Sequence, residues 1–286
     1  MTSLLAGFLA LTLSPDPLAN AFERLYNFDF AGAHAILDRH IAAHPADPLL
    51  YAVRSAVYLF HELDRLKILE SEFFADNSRI VEKRKLRADP EIKARLFEAL
   101  NESQSRAGAM LGSQTREPGL PYTGAGASAL KAAPDQRRAL FAMCIALGVA
   151  TDYSALVENR QLRSLATARS SHRYAQALLR SDPQFYDAYA TTGLSEYLIG
   201  SLPFFIRWFA RFDNVQGSKE LAVEKLEIAA RQGRYFRGFA KILLSIIHLR
   251  ENRPPAARQI LGELAREYPE NPLIRKELAK LSAGGR

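Results

Sequence analysis

Cysteine is almost missing from this chain, since Cys144 is the only one in 286 residues. A single cysteine excludes an internal disulfide and a zinc site built from several cysteines. Long apolar runs are missing too, because no uninterrupted stretch reaches the ~18 residues that a membrane-spanning helix needs. Glycine and proline are low to average, with 16 and 14 residues, whereas alanine, leucine, arginine and glutamate are abundant. This composition predicts an all-α protein, because these four side chains lose little entropy in a helix.

The charge is modest and mixed. The net charge is +7, and the most basic stretch, residues 79–95, has seven Lys and Arg against three Asp and Glu. Aromatic side chains that could stack on bases are missing from this stretch, so a solvated helix face is favoured over a nucleic-acid site. We therefore expect no nucleic-acid partner.

The amino terminus allows two interpretations. The run Leu4–Leu13 has the length of a signal-peptide apolar region, and small residues near Ala19 and Ala21 suit cleavage. No basic residue precedes the run, as the first one is Arg24, so residues 1–19 can also be the first apolar segment of the fold. The pattern favours export, with a mature chain that begins near Asn20 and a periplasmic rather than cytoplasmic location.

An Asp or Asn followed by proline recurs before helical patterns. The carboxylate or amide caps the free amides of a first turn, and proline gives up an amide that has no partner there. The five sites are Asp16-Pro17, Asp47-Pro48, Asp89-Pro90, Asp182-Pro183 and Asn271-Pro272. Many separately capped helices are therefore predicted, among them Pro90–Leu111, Asp135–Glu158, Gln161–Arg180, Ser218–Arg231 and Pro272–Leu281.

Small and large residues recur at the spacing of a 34-residue helix–turn–helix unit. Residues 14–47 carry Ala21, Ala33, Leu37 and Pro45 at its fixed positions, and residues 238–271 carry Leu244, Ser245, Ala257, Leu261 and Pro269. The pattern restarts at Tyr51, Ser55 and Tyr58, and again at Tyr189 and Gly193. In these respects the chain resembles the tetratricopeptide repeat (TPR) superfamily over about a third of its length.

The resemblance implies a TPR-like right-handed α-solenoid of antiparallel helix pairs, with residues 20–286 in one domain. Two stretches interrupt the repeats: a long loop at residues 112–134 and an aromatic helix within residues 201–217. The resemblance also implies a groove that binds a protein or peptide.

Catalytic patterns are incomplete. The stretch "HELDR" (residues 61–65) has Arg65 where a zinc protease motif needs its second histidine, so His61 and Glu62 are interpreted as a surface or groove-facing pair. His40 and His44 stand one helical turn apart, but a helix carboxyl end accounts for them without a metal. No catalytic residue, metal ligand or cofactor is assigned, and the chain is not expected to be an enzyme.

The run "SLPFFIRWFARF" (residues 201–212) holds the only tryptophan. On a helix, Phe204 and Trp208 fall in one row with Phe205 alongside, and Arg207 and Arg211 flank this row. Three roles are open: packing on the solenoid core, which is favoured, lining a partner-binding groove, or peripheral membrane contact.

The sequence therefore favours a non-catalytic scaffold or adaptor that binds a protein or peptide. The candidate partner-binding residues are Phe204, Phe205, Arg207, Trp208, Arg211, Tyr58 and His61. The alternative is a periplasmic helical solenoid that binds a small molecule or lipid and serves a transport system.

Overall fold

A computed structural model describes residues 16–70, 87–112, 134–201, 215 and 217–283. Within these ranges the chain forms eleven α-helices and one π-helical turn and contains no strand, which confirms the all-α prediction. The helices are α1 (Pro17–Tyr26), α2 (Phe30–Ala43), α3 (Pro48–Arg65), α4 (Pro90–Leu111), α5 (Pro134–Asp152), α6 (Gln161–Ser181), α7 (Ala188–Gly200), α8 (Lys219–Gln232), α9 (Arg237–Arg250), α10 (Pro254–Glu267) and α11 (Pro272–Ala283). The π-helical turn, Tyr153–Val157, follows α5 directly.

Four of the five predicted helix starts are confirmed. The carboxylates of Asp16, Asp47 and Asp89 accept first-turn amide hydrogens at 3.1, 3.0 and 2.8 Å. The Asn271 amide oxygen does the same for Leu273 at 2.9 Å. In each case the proline is the first helical residue, as the cap geometry requires.

The fifth predicted helix start, at Asp182-Pro183, is wrong. Asp182 is the carboxyl cap of α6, and its side chain accepts from the Gln184 amide at 3.1 Å, which closes a turn instead of opening a helix. Helix α7 begins only at Ala188, because Phe185 leaves the helical path to pack edge-on against Phe141, with 4.9 Å between ring centroids.

Helices α3 and α4 pack antiparallel. Ser103, late in α4, donates to the carbonyl of Pro48 at the start of α3, and Glu62, late in α3, accepts from the amide of Asp89 before α4. Small residues lie at the closest crossings. A methyl group on Gly193 of α7 would stand 3.0 Å from a Leu226 carbon and 3.1 Å from the Ala222 carbonyl oxygen of α8, so a larger residue would push the two helices apart.

The first helix contacts the segment at the start of α9 and the connection between α10 and α11. The Tyr26 hydroxyl donates to the carbonyl of Tyr235 at 2.9 Å, and the Asn271 side chain donates to the carbonyl of Tyr26 at 2.7 Å. The rings of Phe22 and Phe236 meet at 5.8 Å between centroids. Helices that are more than 200 residues apart in sequence therefore share one packed boundary.

Aromatic rings also fill the space between the inner helices. Phe141 of α5 stacks on Tyr235 and packs against Phe236, which in turn contacts Phe239 of α9. Phe60 of α3 meets Phe239 at 6.4 Å between centroids. The inner faces of α1, α3, α5 and α9 are thus covered by the chain's own side chains.

One helical stretch of the described chain, Pro134–Val157, is long and apolar enough to cross a membrane by composition alone. It packs against α3, α4 and α6 and half of it is buried, which accounts for its apolar sequence without a bilayer. Cys144 lies within it and is buried, as its apolar neighbours predict.

Three of the features singled out in the sequence lie outside the described residues. They are the apolar run Leu4–Leu13, almost all of the loop at 112–134, and residues 202–214, which include Phe204, Phe205, Arg207, Trp208 and Arg211.

Candidate functional site

Helix α3 is the floor of a furrow between α2 and α4. It packs against both, while α2 and α4, each described in full, make no extensive contact with one another. Arg54, Tyr58 and His61 follow one another at helical spacing along this side of α3, and all three are partly exposed. We call this surface the α2–α4 furrow.

Aromatic rings line the furrow. The imidazole of His34 in α2 lies 4.2 Å from the Tyr58 ring, and the Phe30 ring stacks on His61 at 5.0 Å, both between centroids. Phe28 packs against Phe30 at 5.4 Å. Each of these side chains is only partly buried, so their faces remain accessible in the free chain.

Charged side chains from all three helices surround the rings. Arg54 pairs with Asp38 of α2, and Arg95 of α4 pairs with Glu91 at 2.7 Å. Hydrogen bonding to the Tyr58 hydroxyl, and then to Glu91, raises the pKa of Arg95. The furrow is therefore a mixed surface in which two guanidinium groups flank an aromatic row.

His34 is the most perturbed group of the furrow. Burial, followed by the nearby charge of Arg54, lowers the pKa of His34 from 6.5 to about 4, and the carboxylate of Asp38 only partly opposes this. The imidazole is therefore neutral at pH 7. Between pH 6.5 and about 4 the unfolded chain takes up a proton that the folded chain excludes, so this group makes stability fall as the pH falls through that window.

We expect the imidazole signals of His34 to titrate with a pKa of about 4 in an NMR pH series. Arg54→Gln should raise this pKa, because it removes the positive charge that opposes protonation, while burial still holds it below 6.5. Arg231→Gln, on the far helix α8, is the control and should leave the His34 titration unchanged. A His34 pKa near 6.5 in the unaltered chain would contradict the packed geometry.

A buried glutamate fixes one end of the furrow. Glu62 is fully buried, its carboxylate accepts from Arg65 at 2.8 and 2.9 Å, and it also accepts from the amide of Asp89 at 2.8 Å. Its neighbour His61 is partly exposed. The sequence predicts His61 and Glu62 as a surface or groove-facing pair, and for Glu62 this is wrong, because its carboxylate is drawn inward by Arg65 and the Asp89 amide. The two adjacent residues therefore have different environments: His61 is partly exposed and Glu62 is buried.

A second buried glutamate marks the aromatic run. Glu196 of α7 accepts from the Gly217 amide at 2.8 Å and pairs with Lys225 of α8 at 3.0 Å. A methyl group on Gly200 would stand 2.6 Å from the Gly217 carbonyl oxygen, so the backbones at the two ends of residues 201–216 nearly touch.

The sequence identifies only part of the furrow. Tyr58 and His61 are brought together on one surface, and the structure adds His34, Arg54, Phe30 and Arg95 to them. Arg54 is four residues before Tyr58 and could be found from helical spacing. The residues of α2 and α4 could not, because their approach depends on how three helices pack.

No protein-family model, curated protein or solved structure matches this chain. Among the described residues, no three histidine, cysteine or carboxylate side chains converge as metal ligands would.

Proposed function

We propose that this chain is a non-catalytic scaffold or adaptor, a TPR-like right-handed α-solenoid that binds a protein or peptide partner in the α2–α4 furrow. One observation carries the proposal: partly exposed aromatic rings and guanidinium groups of α2, α3 and α4 lie side by side on one surface. Aromatic and arginine side chains are the residues that most often anchor protein interfaces.

The inner faces of the helices are a poorer location for a partner. Phe22, Phe141, Phe236 and Phe239 already pack there against one another. A partner would have to displace these contacts, whereas the furrow presents Tyr58 and His61 without rearrangement. The aromatic run at 201–212 is proposed as a second contact region, for the partner or for a membrane surface, and no nucleic-acid partner is proposed.

The apolar run Leu4–Leu13 supports an exported, periplasmic location. Amino-terminal sequencing of the protein from its native host tests this, and recovery of intact Met1 would contradict export. In the alternative function, a periplasmic solenoid serving a transport system, the occupant is a small molecule or lipid.

The proposal is tested by site-specific photocrosslinking in the native host. The photoreactive residue p-benzoylphenylalanine replaces Tyr58 in one variant and Arg231, an exposed residue of α8, in the control. We expect the Tyr58 variant to give a discrete crosslinked protein that mass spectrometry identifies, and the control to give none. Adding Arg54→Glu to the Tyr58 variant should abolish this product.

Two outcomes would contradict the adaptor proposal. Crosslinking only to a lipid or small molecule at position 58 would favour the alternative function. The same products from positions 58 and 231 would mean that the furrow is not a specific site.

A further inference from the structure

We propose that the α2–α4 furrow selects a partner segment in which an acidic side chain stands next to an aromatic or aliphatic one. This inference rests on the proposed function, since it names the chemistry of the partner that the same furrow holds. It commits to an internal Asp or Glu of the partner, with the partner chain continuing on both sides.

Two buried nitrogen atoms of the furrow have no hydrogen-bond partner within the described part of the chain. They are Nε2 of His34 and Nε of Arg54. Asp38 accepts only from a terminal nitrogen of Arg54, which leaves the Nε–H group of that guanidinium unused. A buried polar group without a partner is costly, so an acceptor atom supplied by a ligand would be stabilised here.

The charge that lies deepest in the furrow is positive. The Arg54 side chain is 21% exposed, whereas its partner Asp38 is 66% exposed and can turn toward solvent. On the opposite wall, Glu91 is 73% exposed and is likewise on the rim. Because a charge in a partly buried site is screened less than one on the rim, the field inside the furrow favours an anion.

His34 is suited to the same anion. Its imidazole is neutral at pH 7, and one neutral tautomer carries a proton on Nε2 that can be donated to a carboxylate oxygen. A carboxylate therefore finds two N–H donors, one from each of two facing helices, and one of them is charged. Hydrogen bonds between a charged donor and a carboxylate are about twice as strong as neutral ones.

The aromatic rings beside these two donors favour an apolar residue next to the acidic residue of the partner. Phe30 stacks on His61, and the Tyr58 ring lies between His61 and Arg54 along α3. An apolar side chain next to the acidic one would cover these rings. From Arg54 the furrow continues past Tyr58 and His61 toward the carboxyl end of α3, and the apolar residue of the partner lies in that direction.

The test uses three short peptides as probes with the full chain in NMR titrations at low ionic strength. They are Ac-Ala-Glu-Phe-Ala-NH2, its glutamine analogue Ac-Ala-Gln-Phe-Ala-NH2, and Ac-Ala-Gln-Phe with a free carboxyl end. We expect the glutamate peptide to bind about tenfold more tightly than the glutamine analogue, because its carboxylate forms a stronger, charge-assisted hydrogen bond to Arg54. The imidazole signals of His34 should shift with the glutamate peptide.

Two variants locate the effect. Arg54→Gln should bring the glutamate and glutamine peptides to nearly equal affinity, and Arg231→Gln should preserve their difference. His34→Gln gives a second, independent loss if Arg54→Gln proves to be unfolded by circular dichroism. Equal binding of the two amidated peptides, no binding of either, or tighter binding of the free carboxyl end would overturn the inference. None of these results contradicts the adaptor proposal, because the peptides test only the preference for an acidic residue. The adaptor proposal is tested separately by crosslinking from position 58.

Discussion

Replacing Glu196 with alanine is expected to lower the free energy of unfolding by about 3–5 kcal/mol, the range found when one partner of a buried ion pair is removed. The Glu196 side chain is 1% exposed and bonds both Lys225 and the Gly217 amide. Its loss leaves the Lys225 ammonium without a counter-charge at 21% exposure and the Gly217 amide without an acceptor. Urea unfolding followed by circular dichroism measures the change.

The matched control is Glu227→Ala, in the same pair of helices. Glu227 bonds Arg231 one helical turn away, and both side chains are well exposed. A surface pair of this kind contributes less than about 1 kcal/mol. Similar losses from Glu196→Ala and Glu227→Ala would show that the buried carboxylate does not hold α7 to the start of α8.

Replacing Phe22 with alanine is expected to cost about 3–5 kcal/mol, the usual range for a buried aromatic side chain. Phe22 is 4% exposed and contacts Tyr26, Tyr235 and Phe236. Since it joins the first helix to the start of α9, its loss should act at a distance in sequence. Native-state hydrogen exchange should therefore show reduced protection in α9 as well as in α1.

Leu198→Ala is the control for this second prediction, because Leu198 is 52% exposed and lies on α7, outside the boundary. It should change stability by less than about 0.5 kcal/mol. Normal protection of α9 in Phe22→Ala would contradict the packing of α1 against the start of α9.

The sequence predicts local structure well and tertiary structure less well. Helix α4 runs over the predicted Pro90–Leu111, because its capping aspartate and proline act within a few residues. The same pattern at Asp182-Pro183 predicts a helix start that is wrong, because a capping pattern does not indicate whether the following residues pack into the core. Phe185 is drawn there by Phe141, which is more than 40 residues earlier in the chain.

The candidate site shows the same division. The helical pattern of α3 alone identifies Tyr58 and His61. The lowered pKa of His34 and the unpaired state of its Nε2 depend on how α2 packs against Arg54 of α3. The sequence pattern of α2 does not predict that His34 lies close to Arg54. The contact of α1 with the start of α9 and with the α10–α11 connection also cannot be predicted from the sequence, because a repeat pattern describes each unit and not the packing between distant units.

That contact has a consequence for the order of folding. A helical array with only local contacts can form one unit after another, and chains rich in local contacts fold fast. Here the Tyr26 hydroxyl bonds a carbonyl that lies 209 residues later, and the Tyr26 carbonyl accepts from a side chain 245 residues later. On the ribosome, the aromatic face of α1 therefore stays uncovered until almost the whole chain has been made. The slowest step of folding should be the closure that joins the two ends, and a chaperone that binds exposed aromatic side chains would act before it.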